Sequence, residues 1–598
     1  MTTPLEDYAL LADMRTSALV SRDGSLDWLC LPRMDSPAVF CALLGTEENG
    51  CWRLSIADGT VVERHYRGDS FILETIWESP TGRARVVDLL PPRTREADLI
   101  RLVECLEGEV VVDHDLRLRL DYGRVVPWVR RTPAGLVVVA GPTGLLLSGP
   151  DVDGCHPDGD MPACLTGRTL LAAGERQDWQ LLWFPSHETP PAPAEPLAAV
   201  AETENHWAEL TEGLKIEGRW PEVVRRSLQV LRALTNAETG GIVAAPTASL
   251  PEDFGGERNW DYRYTWLRDA SFTIEVLIDH GHTEKAMLWR NWLLRAVAGD
   301  INQLQIMYGI GGERELPESE LDHLAGYENS RPVRIGNGAV DQYQADVVGE
   351  VMLALGKLRD DGQAEDSWSW RLQKELLRYC EENFHRPDHG IWEMRGDEHM
   401  FTHGRVMMWA AFDQGVRAVT EHGLDGPLDH WRGLRETLRI EIEEHGVDPE
   451  SGAFTQTYDN TEVDASLLQI PHTGFCAYDD PRMLRTVTRI ETELGDENGL
   501  VHRYRTETGI DGLPGDEYPF LICVFWLVEQ YAGSGRLDDA ITLMDRLVGY
   551  ASDLGLLAEE YDPSTDRLAG NYPQAFSHLA LVRAAGAITA AEAESARD

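Results

Sequence analysis

The segment His187-Glu188-Thr189-Pro190-Pro191-Ala192-Pro193-Ala194-Glu195-Pro196 separates two parts of the chain that differ in their pattern of apolar residues. Its prolines lack the backbone N–H that helices and sheets need, so the segment is predicted to be extended and semi-rigid. A linker helix over about residues 201–214 is expected to follow. The sequence therefore predicts a first domain at residues 1–185, a connector at 186–219 and a second domain at 220–598.

The part before the connector contains many short apolar runs separated by turn residues. Asp23-Gly24 lies between runs at residues 17–21 and 26–31, and Asp-Gly in this setting is typical of a β-hairpin. Further runs occur at residues 61–62, 71–77, 84–90, 135–140 and 179–184. This spacing of short strands predicts an antiparallel β-sandwich.

The part after the connector has the period of helices. Val224, Leu228 and Leu231 share one helical face. Similar stripes recur near residues 269–281, 283–298, 340–360, 366–384, 404–421, 427–446, 480–494, 517–533, 537–554 and 573–588, with a shorter one at 462–470. Six antiparallel helical hairpins closed into a ring would form an (α/α)6 barrel, although an open solenoid would have the same number of helices. No repeat of fixed length is evident, which disfavours the solenoid.

The net charge of −47 limits the possible partners. It argues against binding to nucleic acid or to anionic membranes, since both are negatively charged. Only four of the 54 basic residues are lysine. An acidic, lysine-poor surface can simply keep a protein soluble, but it is also compatible with adaptation to salt, which screens self-repulsion.

Other bulk features point to the cytoplasm. The chain has no run of about 18 apolar residues that would predict a membrane span, and residues 1–7 do not resemble a signal peptide. The nine cysteines are scattered, without a Cys-x-x-Cys pair. A reducing compartment is therefore expected, and the sequence does not indicate an oligomeric state.

Two acidic segments suggest acid–base chemistry. Residues 390–396, Gly-Ile-Trp-Glu-Met-Arg-Gly, place Glu393 beside Trp392 in a predicted turn. The ring would exclude water from the carboxyl and favour the protonated form that a general acid requires. Residues 557–563, Leu-Ala-Glu-Glu-Tyr-Asp-Pro, contain Glu559 and Glu560, of which at most one should face a site. Among 101 acidic residues, an exposed side chain is the default for any one glutamate.

A third segment, residues 259–269, reads Asn-Trp-Asp-Tyr-Arg-Tyr-Thr-Trp-Leu-Arg-Asp. Arg268 and Asp269 occur where a loop enters a helix, with Asp269 a candidate N-cap. The pair is explained equally by a capped helix with an ion pair and by hydrogen bonds to sugar hydroxyls. Trp260, Tyr264 and Trp266 would offer rings on which a sugar could stack. His399 and His403 lie beside glycines, so we interpret them as structural rather than as metal ligands.

Taken together, these motifs resemble the family 15 glycoside hydrolases, the group of glucoamylases and bacterial trehalases. The segments that carry the resemblance are residues 251–269, 306–314, 326–339, 390–396 and 558–578. Residues 8–40 are similar to the trehalase-type N-terminal domain of that family. The resemblance extends over nearly the whole chain and implies a β-sandwich followed by an (α/α)6 barrel, in agreement with the periodicity.

The resemblance also implies roles for individual residues. Glu393 matches the general acid of the family and Glu559 its general base. The implied substrate-binding residues are Arg268, Asp269, Trp266, Trp392, Arg503, Tyr264 and Phe576. Two positions depart from fungal glucoamylases, which have a second glutamate at Met394 and a tryptophan near Phe576. Both departures concern substrate contacts and leave the acid and base unchanged.

The activity implied is inverting hydrolysis of α-glucosidic bonds, which releases β-glucose. The two carboxyls should then lie roughly 6.5–9.5 Å apart, with a water between them. Trehalose is the leading substrate, followed by malto- or isomalto-oligosaccharides, and no metal or cofactor is expected. A glycoside phosphorylase and a sugar-binding protein without activity are the alternatives. A cationic cluster in the site would favour the phosphorylase, and a carboxyl at position 559 facing the site would disfavour it.

Overall fold

The computed structural model describes residues 2–92, 97–150 and 164–597. Packing divides the chain into two compact units. The first contains Met1–Gly213, Leu321–Val333 and Ser552–Leu554, and the second contains Leu214–Glu320, Arg334–Ala551 and Gly555–Asp598. The domain limits at residues 185 and 220 remain predictions, but two short segments from the later sequence clearly pack within the first unit.

The first unit is built from fourteen antiparallel strands among the described residues. They are β1 (Tyr8–Ala12), β2 (Ser17–Ser21), β3 (Ser25–Cys30), β4 (Ala38–Phe40), β5 (Cys51–Ile56), β6 (Thr60–Tyr66), β7 (Leu73–Ser79), β8 (Gly82–Leu89), β9 (Asp98–Arg117), β10 (Trp128–Thr132), β11 (Gly135–Ala140), β12 (Thr143–Ser148), β13 (Cys164–Ala172) and β14 (Arg176–Pro185). The predicted hairpin at Asp23-Gly24 joins β2 to β3, and Gly24 has the positive φ of 81° that this turn needs.

The long strand β9 belongs to both layers of a sandwich. Its second half pairs with β5 and β13, and that layer continues through β3, β2 and β1. Its first half pairs with β8 and β14, and that layer ends at β6 and β10. His114 of β9 accepts a hydrogen bond from Trp52 of the first layer and stacks on Trp179 of the second. The predicted antiparallel β-sandwich is thereby confirmed.

The linker helix α1 (Pro196–Thr211) packs on this sandwich. It begins about five residues before its predicted start, because Pro196 suits the first helical turn and the Glu195 side chain caps it by accepting from the Ala198 N–H. Ala199 and Val200 then join a buried cluster with strand residues Ile72, Val87, Leu89, Ile100 and Leu102.

The second unit is mainly helical. Its helices are α2 (Pro221–Ala233), α3 (Leu267–Asp279), α4 (Thr283–Val297), α5 (Val347–Asp360), α6 (Ser367–Glu382), α7 (Thr402–Thr420), α8 (Leu428–His445), α9 (Pro481–Glu493), α10 (Leu521–Gly533), α11 (Leu537–Val548) and α12 (Ala575–Ser595). Short strand pairs link them: β15 (Ala248–Pro251) with β16 (Asn259–Asp261), β17 (Thr265–Trp266) with β18 (Met307–Tyr308), β19 (Ser319–Glu320) with β20 (Arg334–Ile335), and β21 (Glu560–Asp562) with β22 (Arg567–Ala569).

The helices form a closed double ring. Helices α3, α5 and α7, a 3₁₀ helix at Ala465–Gln469, α10 and α12 pack in succession, and α12 returns to α3. These inner elements are apolar on nearly all sides, whereas outer helices such as α9 and α11 have one buried face. The contact of α12 with α3 shows a ring rather than an open solenoid. The predicted (α/α)6 barrel is confirmed, with a 3₁₀ helix at the fourth inner position.

Among the helices of the described residues, none has the length and apolar composition needed to cross a bilayer.

Candidate active site

A cavity opens where the chain enters the inner helices α3, α7, α10 and α12. Including its open mouth, it encloses about 680 Å³. Its lining residues all belong to the second unit: Ala244, Glu252, Arg258, Trp260, Tyr262, Trp266, Arg268, Asp269, Asn337, Ile391, Trp392, Glu393, Arg395, Arg503, Tyr504, Leu513, Phe520, Glu559, Gln574 and Phe576. Eight of the nine residues proposed from the sequence are therefore gathered in one place.

Tyr264 is the exception, since it does not line the cavity. Strand β16 ends at Asp261, whose carboxylate is held by the Arg263 guanidinium at 2.7 Å. The chain then leaves the strand direction, and the Tyr264 carbonyl accepts a hydrogen bond from the Ala244 N–H. The ring that faces the cavity belongs instead to Tyr262.

Glu393 lies in a tight turn between helices α6 and α7. Its φ of 60° is unusual for a residue other than glycine, and such backbone conformations are concentrated at functional sites. The Trp266 indole N–H donates to Glu393 Oε1 at 2.6 Å, and Arg268 Nη2 lies 3.5 Å from the same oxygen. The side chain remains one-fifth exposed.

The tryptophan that contacts this carboxyl is not the one expected from the sequence. Trp392 donates its indole N–H to Asp464 at 3.1 Å, and its ring packs near Phe520 and Trp526. Trp392 thus forms part of the cavity wall. The hydrogen bond to Glu393 comes from Trp266, which is 127 residues away along the chain.

Glu559 immediately precedes β21 and is only 1 % exposed. Tyr262 donates its hydroxyl hydrogen to Glu559 Oε1 at 2.6 Å, and the Asn571 N–H lies 3.4 Å from Oε2. Burial raises the pKa of Glu559 from 4.5 to about 8, with a further contribution from the charge of Glu252. The Arg503 guanidinium and the Tyr262 hydroxyl oppose that rise.

The two carboxyls are connected through aromatic rings. The rings of Tyr262 and Trp266 meet edge to face, with centroids 5.6 Å apart. Since Tyr262 holds Glu559 and Trp266 holds Glu393, the two contacting rings position both carboxyls in the same cavity. This arrangement provides two carboxyls in different environments, as acid–base hydrolysis requires.

Arg268 and Asp269 form an ion pair in the first turn of α3. Arg268 Nε lies 3.1 Å from Asp269 Oδ2, and Arg268 Nη1 donates to the Ile391 carbonyl at 2.6 Å. The guanidinium also lies 5.0 Å from the centre of the Phe576 ring. Burial raises the pKa of Asp269 to about 6 against the effect of Arg268. Asp269 is the third residue of the helix, so the predicted N-cap is wrong; Trp266 occupies that position.

Arg503 lies at the centre of a buried charged cluster. Glu252 Oε2 is 2.7 Å from Arg503 Nη2, Glu517 Oε1 is 3.0 Å from Nε, and Glu560 Oε1 is 3.6 Å away. The three carboxylates are close enough together to suggest a metal site, but the guanidinium already supplies the positive charge between them. Glu560 is turned toward this cluster and does not line the cavity, so one of the two adjacent glutamates faces it, as expected.

Met394 was expected to contact the substrate, but its side chain is 1 % exposed and does not line the cavity. The next residue, Arg395, lines it instead. Phe576, the second position at which this chain differs from fungal glucoamylases, does line the cavity.

Several lining residues were missed by sequence reasoning. Tyr262 could have been found from its place in the aromatic segment at residues 259–269, two residues after Trp260. Glu252, Arg258, Asn337, Tyr504 and Leu513 have no local signal, because they come from loops that only the closed barrel brings together.

Comparison with known proteins supports these features. Residues 219–586 match the glycosyl hydrolases family 15, and residues 1–160 match the family described as trehalase-like, N-terminal. A trehalase from Mycolicibacterium smegmatis is 37% identical over 99% of this chain and 92% of its own length. A trehalase from Thermoplasma acidophilum is 32% identical over 95% of this chain and 97% of its own.

A crystal structure of a bacterial glucoamylase complexed with acarbose shares the fold, with a TM-score of 0.72 and 12% identity, over 98% of this chain and 94% of that one. The family match covers most of the helical unit, and the relatives align along nearly the whole length. The chain therefore belongs to glycosyl hydrolases family 15 and is an O-glycosyl hydrolase.

Proposed function

We propose that this chain hydrolyses α,α-trehalose with inversion, with Glu393 as general acid and Glu559 as general base. The observation that carries the proposal is that both carboxyls face one cavity and are held by different partners, Trp266 and Tyr262. The other residues of the cavity then bind and orient the sugar.

Glu393 would protonate the glycosidic oxygen. Its Oε1 is engaged by Trp266 and Arg268, which leaves Oε2 as the oxygen that carries the proton. The contacts to Oε1 fix the orientation of the carboxyl. This orientation matters because a general acid must lie within hydrogen-bond reach of the oxygen that it protonates.

Glu559 would take a proton from the attacking water. Tyr262 holds Oε1, and Oε2, which accepts only the long hydrogen bond from the Asn571 N–H, can accept a second one from the water. A pKa raised to about 8 makes the ionised carboxylate a stronger base than an ordinary glutamate and lies near a neutral working pH. Attack opposite to the leaving group converts the glycon to β-glucose, while the departing glucose keeps its α configuration.

The ion pair of Arg268 and Asp269 would bind the glycon glucose. Both side chains are buried at the inner end of the cavity and can serve as hydrogen-bond donor and acceptor for hydroxyls. The Phe576 ring, which covers Arg268, would exclude water from that end.

Trehalose is favoured over other α-glucosides because the two trehalases described above align with this chain over 92% and 97% of their own lengths. Malto- and isomalto-oligosaccharides are the second choice. Phosphorolysis is disfavoured even though Arg258, Arg268, Arg395 and Arg503 all line the cavity, since each has a carboxylate partner within about 3 Å.

The test is a substrate panel in phosphate-free buffer containing trehalose, maltose, isomaltose and starch. We expect trehalose to have the highest kcat/KM. A higher value for maltose or isomaltose would contradict the substrate, and a requirement for phosphate with release of glucose 1-phosphate would contradict hydrolysis.

We also infer that the enzyme works in the cytoplasm. The eight cysteines within the described residues form no disulfide with one another, as expected in a reducing compartment.

A further inference from the structure

We propose that Trp260 and Arg395 form the subsite for the second sugar, the aglycone, and so determine which disaccharide is accepted. The inference rests on the proposed function, since it takes Glu393 and Glu559 as the residues on either side of the bond that breaks. None of the roles assigned above to the glycon-binding residues involves these two side chains.

Trp260 lies close in the chain to the residue that holds the proposed base. Trp260 in β16 and Tyr262, just beyond the end of that strand, both line the cavity, and the Tyr262 hydroxyl holds Glu559. The Trp260 carbonyl is fixed by the Asn571 side-chain amide at 2.9 Å.

Arg395 belongs to the turn that carries the general acid, two residues after Glu393. Its guanidinium lies 4.8 Å from the centre of the Trp260 ring, and Glu318 holds Nη2 at 3.0 Å. The Arg334 guanidinium lies 4.6 Å from the same ring centre. These contacts fix both the ring and the Arg395 side chain, which presents its other N–H groups to ligand hydroxyls.

Depth distinguishes this subsite from the glycon subsite. Arg268 and Asp269 are 7 % and 4 % exposed, whereas Trp260 and Arg395 are only partly buried. The glycon therefore occupies the inner end and the aglycone the outer part of the cavity. Because the acid must reach the oxygen that leaves with the aglycone, a binding residue on the same turn as Glu393 is well placed to contact that sugar.

The experiment compares trehalose with α-D-glucosyl fluoride, which has a glycon but no sugar as leaving group. Trp260→Ala and Arg395→Leu should each lower the ratio of kcat/KM for trehalose to kcat/KM for the fluoride by about tenfold or more. Arg395→Lys, which keeps the charge, should lose less. Trp368→Ala, at an exposed tryptophan on α6, is the matched control and should keep the wild-type ratio.

A ratio within about twofold of wild type in either folded variant, Trp260→Ala or Arg395→Leu, would overturn the proposal. If Trp260→Ala does not fold, the proposal is judged on Arg395→Leu alone, and a ratio within about twofold of wild type again overturns it. If wild-type enzyme hydrolyses the fluoride and another disaccharide but not trehalose, the substrate assignment fails. The subsite is then judged with that other disaccharide, so the two failures remain distinguishable.

Discussion

The Glu393 and Glu559 carboxyls share a cavity but differ in their neighbours. Glu393 is partly exposed and accepts from an indole, whereas Glu559 is buried and accepts from a phenol. Identical side chains can take opposite roles in proton transfer when their surroundings differ in this way.

Replacing either carboxyl should remove most activity. Glu393→Gln and Glu559→Gln should each lower kcat on trehalose by at least about 10² to 10⁴-fold, the usual contribution of general acid–base catalysis. Glu497→Gln, at an exposed position, is the control. Near-normal turnover by Glu559→Gln would contradict its role as general base.

Tyr262→Phe tests how the base is tuned. The hydroxyl hydrogen bond lowers the pKa of Glu559, so its loss should raise that pKa further and reduce the ionised fraction at neutral pH. We expect about tenfold lower kcat/KM at pH 6–7. The ratio of variant to wild type should rise as the pH increases above about 8, because the carboxyl of the variant becomes ionised at a higher pH than that of the wild type. A ratio independent of pH would contradict the role of this hydrogen bond.

The raised pKa of Glu559 also predicts how stability depends on pH. The folded-state pKa of about 8 exceeds the ordinary value of 4.5, so the folded protein binds a proton that the unfolded chain releases. The resulting stabilisation is complete below pH 4.5 and is lost as pH rises to about 8, at about 1.4 kcal/mol per pH unit.

Glu559→Gln removes this dependence. Its Tm minus that of the wild type should therefore increase between pH 5 and pH 8, as measured by calorimetry. A difference that stays constant over this range would show that Glu559 is ionised in the folded enzyme.

Most of the site residues could be predicted from the sequence because their motifs are contiguous. The errors concern side-chain direction. Tyr264 and Met394 belong to the right segments, but the end of β16 and the turn at Glu393 point them away from the cavity. Such directions depend on backbone geometry that periodicity does not reveal.

At the scale of elements, the helices of the second unit lie close to the positions predicted from the apolar stripes. The stripes are clear because each helix buries one face or its whole surface. The strand β9 was missed because its centre, around Gly108, has the composition of a turn. In the structure the register of β9 with β8 shifts between Cys105 and Glu107, and Gly108 has a φ of 68°. The short strand pairs β15–β22 were also missed, since two to four residues are too few to show a period.

The close contact of inner helices gives an element-scale prediction. A Cβ at Gly349 in α5 would lie 2.3 Å from the Met407 carbonyl oxygen in α7, so Gly349→Ala should destabilise the protein by about 1–3 kcal/mol. A Cβ at Gly433 in α8 meets no atom of the described residues within 4 Å. Gly433→Ala should stabilise by up to about 1 kcal/mol through helix propensity.

Thermal unfolding should therefore order the proteins as Gly433→Ala above wild type and Gly349→Ala below it. A Tm for Gly349→Ala equal to or above that of wild type would show that α5 and α7 are not as close as described.

At the scale of the whole molecule, the closure of the ring followed from the family resemblance but not from the periodicity, because it depends on α12 reaching α3 across some 300 residues. Nor could the return of Leu321–Val333 and Ser552–Leu554 to the first unit be predicted. There the Gly326 N–H donates to the Leu44 carbonyl, and Arg22 pairs with Asp553 at 2.7 Å. Such contacts between distant residues are specified by tertiary packing alone.

The charge of −47 gives a prediction for the molecule as a whole. If acidic self-repulsion limits stability, KCl should raise the Tm between about 0.1 and 1 M, because the Debye length falls from about 10 to 3 Å. Thermal scans at increasing KCl test this. A Tm that is constant or falls with KCl would remove the proposal of salt adaptation.

The most direct test of the proposed mechanism is proton NMR of the anomeric signals during the first minutes of trehalose hydrolysis, before mutarotation mixes the products. Inversion at the glycon, with Glu393 as acid and Glu559 as base, predicts α- and β-glucose in equal initial amounts. Formation of α-glucose alone would show retention and contradict the proposed mechanism.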